Sequence, residues 1–307
     1  MTTSAGRGLL AGPPGAGFVI NPSRVRRPDV LAARCRAAAE AHGWQPMLAE
    51  TTHDDRGCGL ARAALRAGAR LLFAAGGDGT VTACAQALAG TGIPLAIIPL
   101  GTANLAARAL GIPGRLDSAL ALGFSTRERR IDLAAADGVT FTAMAGIGLD
   151  AAVVAGTPAA LKDRIGWAAY ALSGAAHLPG RRTAFAIRLD GGDPVVRDAR
   201  CVVVGNAGVL PGGFVLLPRA RLDDGLLDVA VLAPSGPAGW ARIAREVVGG
   251  RGGGRAAGGV LERHQARRVE IRASAELPRE VDGEVITRGR SLAATVQPAA
   301  LLVRAPD

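Results

Sequence analysis

Three short segments carry residue types that could do chemistry. The first is Gly76-Gly77-Asp78-Gly79-Thr80, set between an apolar run and a helical pattern. Its glycines permit positive φ and let a bulky anion approach the backbone closely. The N–H groups at the start of the following helix can hold phosphate. An aspartate placed among phosphates would be repelled, so Asp78 implies either Mg2+ or a proton-accepting role. Taken alone, the segment also reads as a tight turn whose Asp caps a helix. The second segment runs from Pro99 to Arg108 (PLGTANLAAR), where a strand again ends at Gly101-Thr102 and a helix follows. Two such turns on one parallel sheet could converge on one ligand, and together they are far more specific than either alone. The third is Val281-Asp282-Gly283-Glu284, two carboxylates flanking a glycine. In isolation it is a plain hairpin turn.

The elements that must position these segments follow from the hydrophobic pattern. Residues 17–20, 70–75 and 94–99 are short apolar runs that end at turn signals, Asn21-Pro22 among them. Helical spacing covers residues 30–42, 61–67, 81–88 and 103–110, with Gly111-Ile112-Pro113 stopping the last. Strands alternating with helices across short turns predict a parallel α/β sheet, whose ligands sit at the carboxyl ends of the strands. Beyond residues 125–130 the texture changes to short apolar runs at 140–145, 183–189, 199–204, 227–232, 268–273, 292–296 and 301–303. Gly, Pro or Asp bound many of them, which predicts an all-β domain, a sandwich. Helical insertions fit residues 162–177 and 238–248. The expected division is therefore 1–128 and 129–307, with the strand after Pro298 free to return to the first domain.

Composition sets the class. The chain has 307 residues, 49% of them apolar and 20% charged. That is a globular composition with ample length for two cores, which excludes a mainly disordered chain. No apolar run reaches the ~18–20 residues of a membrane-spanning helix, and residues 1–17 lack the layout of an export signal. Cys35, Cys58, Cys84 and Cys201 are scattered, with no C-x-x-C, and read as buried thiols in a reducing cytoplasm. The four histidines are equally dispersed, which weighs against zinc. The net charge is +10, and 35 of the 36 basic residues are Arg, Lys162 being the exception. Anionic lipid or an Arg-biased solvated surface accounts for this charge. Nucleic acid fits poorly: residues 249–259 (GGRGGGRAAGG) are a short glycine-arginine run, and aromatics make up 3% of the chain. Asn21, Asn104 and Asn206 are the only asparagines.

GGDGT, then PLGTANLAARALGIP, then LDDGLLD at residues 222–228, then VDGE, in this order and at these separations, resemble the diacylglycerol kinase catalytic-domain family. The bacterial soluble lipid kinases and the sphingosine kinases belong to that family. The likeness runs from Asn21-Pro22 to at least Glu284. Further matching pieces are residues 146–151 (GIGLDA), Lys162 with Gly166 and Tyr170, and Asn206 with Gly212-Gly213. The resemblance implies an α/β nucleotide-binding domain, similar to that of NAD kinases and phosphofructokinases. It also implies a β-sandwich domain, with the active site in the cleft between the two. Carried over by residue, it implies that ATP is held by Asn21, by Thr52 (or its neighbour Thr51), and by Gly76, Gly77, Asp78, Gly79, Thr80, Val81 and Thr82. Gly101, Thr102 and Asn104 of the second turn belong to the same set, although Asn104 could instead brace the turn. Asp78 would act with the phosphates and Mg2+, and Glu284 would be the general base for a lipid hydroxyl. Asp224, with the backbone carbonyls of Arg221 and Leu226, would hold a second, structural metal.

Such residues suit phosphoryl transfer, which needs positioning, charge neutralisation and a base for the attacking hydroxyl. The sequence departs from the family in two places. Many members follow GGDGT with Val/Ile-Asn-Glu, whereas this chain has Val81-Thr82-Ala83 and so lacks one carboxylate near the nucleotide. Asn21-Pro22 is followed by Ser23-Arg24 rather than a small Ser-Gly turn. The leading expectation is an ATP-dependent kinase of a diacylglycerol-like or sphingoid-like lipid. It would be cytoplasmic and peripherally attached to an anionic membrane, and a homodimer stays open. The alternatives are a kinase of a soluble substrate, and a non-catalytic member that binds membrane or nucleic acid.

Overall fold

A computed structural model describes residues 12–148, 182–210, 215–249 and 259–306. Lys162, Gly166, Tyr170, Gly212-Gly213, residues 149–151, the helical pattern 162–177 and residues 250–258 of the glycine-arginine run lie outside them.

The first half alternates strand and helix. β1 (Gly15–Ile20), β2 (Gln45–Glu50), β3 (Ala69–Gly76) and β4 (Leu95–Pro99) are parallel, in the order β4-β3-β1-β2. Every residue of β1 is buried, and so is nearly all of β3. Strands covered on both faces read as continuous apolar runs, and helices do cover both faces here. On one face α1 (Pro28–Ala41) packs Leu31, Cys35 and Ala39 against the sheet, together with Ala119 and Leu120 of α5 (Leu116–Phe124). Phe18 and Phe73 stack there with ring centroids 4.5 Å apart, and Phe124 tilts against Phe73. On the other face lie α2 (Cys58–Arg66), α3 (Asp78–Leu88) and the short α4 (Leu105–Ala109).

The second half is antiparallel. Its strands are β5 (Glu128–Ala136), β6 (Val139–Phe141), β7 (Met144–Ile147), β8 (Thr183–Leu189), β9 (Val195–Ala199), β10 (Cys201–Gly205), β11 (Leu227–Leu232), β12 (Leu261–Ala266), β13 (Arg268–Val281) and β14 (Glu284–Arg304). One helix, α6 (Gly236–Gly249), is inserted between β11 and β12. Inward residues such as Phe141, Ile147, Phe185, Val202, Val229, Ile271 and Leu292 form the sandwich core. A separate apolar cluster joins the halves. It runs from Leu72 and Ile97 through Ile131 and Leu133 to Val203, Trp240 and Leu301.

β13 and β14 are much longer than the apolar runs at 268–273, 292–296 and 301–303 predict. They span 14 and 21 residues. Prolines 278 and 298 interrupt the apolar pattern, yet both are absorbed where the strand register shifts. Strand proline is tolerated at such irregularities because no ladder hydrogen bond is demanded there. β14 starts in the sandwich and ends in the α/β half, where Val303 pairs in parallel with Leu95 of β4. Among the described residues fourteen strands therefore make one continuous sheet. No described helix is long and apolar enough to cross a membrane.

Candidate active site

The order β4-β3-β1-β2 changes direction between β1 and β3. α1 leaves β1 on one face, and α2 leads to β3 on the other. A crevice opens at such a switch point, outside the carboxyl ends of the two strands. Asn21 follows β1, and Gly77 follows β3. A cavity of about 460 Å³ lies there, lined by Asn21–Arg24, Thr51–His53, Arg56, Gly77–Thr80 and Glu284. That is the size range of small-molecule sites.

Each wall has a local cause. Asn21 carries its amide oxygen to the N–H (3.1 Å) and hydroxyl (2.7 Å) of Ser23, closing a 3-10 turn over Pro22–Arg24. Its amide nitrogen faces the Thr80 hydroxyl at 3.4 Å. Thr52 and Asp55 close a second turn, with Thr52 N–H donating to the Asp55 carbonyl (3.0 Å) and Asp55 N–H to the Thr52 hydroxyl (3.1 Å). Thr51 and Thr52 both line the cavity. Gly77 caps α3 without a side chain, its carbonyl accepts from the N–H groups of Thr80 (3.0 Å) and Val81 (3.1 Å), and Gly77–Thr80 line the cavity.

The second turn packs against the first. A Cβ on Gly101 would sit 2.6 Å from the Gly77 Cα and 2.8 Å from the Asn104 Oδ1. Glycine is required there because two backbones touch. Asn104 is left-handed (φ 49°) and folds back on Gly101, accepting from its N–H (2.8 Å) and donating to its carbonyl (2.6 Å). Asn104 thus braces the turn. Its left-handed backbone also delays α4 to Leu105, two residues later than helical spacing predicts. Asp78 accepts from the Leu105 N–H at 2.6 Å and so ties α3 to α4. Burial raises the Asp78 carboxyl above the usual range, and the charge of Asp282 adds to the rise. A desolvated carboxylate facing a polar cavity fits a cation, which would relieve that cost.

Glu284 reaches the cavity from the sandwich. Asp282-Gly283 form a two-residue hairpin between β13 and β14, with φ of 48° and 81°. These are the backbone signs of a type I′ turn, for which Asp-Gly is suited. The turn is pinned by Asp282. Its carboxylate accepts from the N–H groups of Thr142 (3.0 Å), Ala143 (2.9 Å) and Met144 (3.0 Å) and from the hydroxyls of Thr82 (2.8 Å) and Thr142 (3.3 Å). Glu284 then projects over the start of α3, where a Cβ on Gly79 would come within 3.8 Å of its Oε1. Arg56 forms an ion pair with Glu284 across the cavity.

The residues expected at the nucleotide divide accordingly. Asn21, Thr52, Gly77, Asp78, Gly79, Thr80 and Glu284 share the cavity. Gly76, Val81, Thr82, Gly101, Thr102 and Asn104 do not line it. Val81 is buried in the apolar cluster, and Thr82 is turned to Asp282 and Thr142. Thr102 is exposed, while Gly76 and Gly101 shape the loop backbones.

Asp224 is exposed and lies elsewhere, accepting from the Leu226 N–H at 3.0 Å. The Arg221 guanidinium donates to Asp223, which leaves open the part expected of the Arg221 carbonyl. The loop is organised by buried Asp132, which accepts from the Gly225 (2.7 Å) and Ala299 (2.7 Å) N–H groups. Burial pushes Asp228 up to about 6, with Asp224 adding to the rise. Among the described residues no three His, Cys, Asp or Glu side chains gather as a metal centre. A cation there would depend on Asp224 and backbone carbonyls.

Sequence reasoning named Asp282 within the third segment without giving it a pinning role, and it missed Arg56. The signal for Asp282 was the Asp-Gly pair between two apolar strands; Arg56 gave none. Asn206 is buried and donates to the carbonyls of Asp132 (3.1 Å) and Thr142 (3.4 Å), a brace between strands.

Residues 16–136 match the diacylglycerol kinase catalytic domain, and residues 143–305 match the YegS C-terminal NAD kinase beta sandwich-like domain. Probable lipid kinase YegS-like of Pseudomonas aeruginosa strain UCBPP-PA14 is 37% identical over 89% of each chain. The protein of the same description from Pseudomonas fluorescens is 36% identical, over 91% of this chain and 93% of that one. Among solved structures, a diacylglycerol kinase from Bacillus anthracis superposes with a TM-score of 0.73 at 22% identity, covering 95% of this chain and 97% of that one. An NAD kinase from Archaeoglobus fulgidus in complex with ATP gives 0.52 at 13% identity, covering 94% and 92%. At these identities the structures speak for the fold.

Proposed function

The chain belongs to the diacylglycerol kinase catalytic-domain family, in the group with a YegS-type sandwich, and is thereby a phosphotransferase; from that premise we propose that it transfers the γ-phosphoryl group of ATP to a lipid hydroxyl. The observation that carries the reading is the meeting of the α3 N-terminus and Glu284 in the lining of one cavity.

In this reading the backbone N–H groups from Gly77 to Gly79 receive the phosphates. Asn21 and Thr52 border the nucleotide. Bound Mg2+ would neutralise charge on the phosphates, and Asp78 is the carboxylate that would hold it. Glu284 accepts the proton of the acceptor hydroxyl as that oxygen bonds to the γ-phosphorus. The bond from the γ-phosphorus to the bridging oxygen breaks, and ADP leaves. Val81, Thr82, Gly101 and Asn104 act on the nucleotide indirectly, by fixing the two loops. Asp224, with the carbonyls of Arg221 and Leu226, would hold a second, structural cation.

The acceptor is a diacylglycerol-like or sphingoid-like lipid, and the enzyme docks on anionic membrane from the cytoplasm through its Arg-rich surface. Purified protein, Mg2+ and labelled ATP are incubated with mixed lipids, NAD and sugar phosphates, and products are read by mass spectrometry. Phosphorylated lipid is expected. Label on NAD or sugar alone refutes the lipid acceptor. Glu284→Gln is expected to abolish transfer while nucleotide still binds; full transfer by that variant removes Glu284 as the base.

A further inference from the structure

The Arg56–Glu284 ion pair joins a residue to which the family resemblance gives no role to the residue proposed as base. Arg56 lies between β2 and α2, and its backbone is held firmly. Asp55 Oδ1 accepts from the N–H groups of Gly57 (2.8 Å) and Gly59 (3.2 Å), which caps the start of α2. The turn between Thr52 and Asp55 holds the other side. Gly57 has φ 131° and packs tightly, since a Cβ there would lie 3.0 Å from Val19 Cγ1 and 3.4 Å from Cys84 Sγ. The side chain has the opposite character. It is 60% exposed, its partner Glu284 is 53% exposed, and among the described residues this pair is the one ion pair either makes.

A fixed backbone carrying a loosely held cation is suited to exchanging partners. The cavity wall has two arginines, Arg24 and Arg56, of which Arg56 is tied to a carboxylate. A triphosphate entering this cavity brings several anionic oxygens that can take a guanidinium in a bidentate fork. One half-exposed carboxylate competes weakly against them.

We propose that Arg56 is a positioning residue that changes partners: it pairs with Glu284 and moves to the nucleotide's terminal phosphates when ATP enters. Glu284 is released to accept a proton only once the phosphoryl donor is in place. The inference rests on the reading that this cavity takes ATP, and it says nothing of the acceptor.

The test is a double-mutant cycle read by calorimetric titration of ATP and AMP into the full chain, without lipid. Arg56→Gln is expected to weaken ATP about tenfold while AMP changes less than twofold, since AMP lacks the terminal phosphates. Glu284→Gln is expected to tighten ATP roughly threefold by freeing Arg56, and that gain is expected to vanish in the double variant. Arg56→Lys, which keeps the charge but not the fork, is expected to fall between wild type and Arg56→Gln. ATP affinity unchanged by Arg56→Gln overturns the inference alone. So does a gain from Glu284→Gln that persists in the double variant, because repulsion between Glu284 and phosphate would then explain it. A wild-type chain that binds no ATP removes the nucleotide reading, and this inference with it.

Discussion

Asp282→Asn isolates what one carboxylate contributes to the site. The backbone tolerates the change, because Asn is as comfortable as Asp at φ 48°. The effect must therefore come from the acceptor atoms. Oδ1 serves the N–H groups of Ala143 and Met144, and Oδ2 serves the Thr142 N–H and two hydroxyls. Asparagine keeps one oxygen. If it stays on Ala143 and Met144, the new NH2 group confronts the Thr142 N–H, while the hydroxyls of Thr82 and Thr142 rotate to accept. Thr142 is 3% exposed, so its N–H loses its partner in a buried place. One buried unsatisfied N–H costs about 1–3 kcal/mol, and the remaining bonds lose their charge assistance, for a total of about 2–4 kcal/mol. A fall in melting temperature of roughly 3–6 °C is expected by scanning calorimetry. Because the same hairpin carries Glu284, turnover measured well below melting is expected to drop about a hundredfold, the scale set by a misplaced catalytic group. The KM for ATP is expected to change little, since Gly77–Thr80 are not on the hairpin. Melting within 1 °C of wild type and kcat within twofold would refute the reasoning.

Two further predictions test the loops and the sandwich. Gly101→Ala forces a methyl group to within 2.6 Å of Gly77, so a loss of about 2–3 kcal/mol in urea unfolding and weaker ATP binding are expected; Gly114→Ala, with open space around it, is expected to change neither. Glu280 is pushed up to about 7 by burial, with Asp282 adding to it, so the folded chain prefers its protonated form. That preference stabilises fully below the ordinary carboxyl range and is lost as pH rises through about 7. Glu280→Gln is therefore expected to match wild type at pH ~4.5 and exceed it at pH ~8 by up to roughly 2 kcal/mol in pH-resolved denaturation; an unchanged pH slope counts against the assignment.

The features legible in the sequence were those with a local cause. Gly76–Thr80 read as a phosphate turn because glycine, a strand end and a helix start are adjacent in the chain. The strand β3 read as buried because both its faces are covered. Position within a motif pointed Thr82 to the nucleotide, whereas the fold places it outside the cavity lining with its hydroxyl donating to Asp282 at 2.8 Å, two hundred positions away. Asn104 could brace or bind; its left-handed backbone and paired bonds to Gly101 make it a brace, and no pattern shows a φ angle in advance. The lengths of β13 and β14 were hidden by Pro278 and Pro298, which mark strand ends unless a register shift absorbs them. α5 (Leu116–Phe124) was missed for another reason: its apolar residues are nearly continuous and show little periodicity.

The long β14 also bears on how the enzyme comes into being during translation. β4 emerges early and, of its two neighbours, gains β3 at once. Its other edge is met at Val303. Until then an apolar edge strand stands open, the kind of surface that invites pairing with other chains. Closing it requires contacts between distant parts of the sequence, which are slow to form. The same strand begins with Glu284, so the residue proposed as base and the strand that seals the α/β sheet arrive together. A partly synthesised chain can fold the Gly76–Thr80 turn but lacks the Glu284 carboxylate beside it. On the proposed role of Glu284, the topology holds activity back until the sheet is whole.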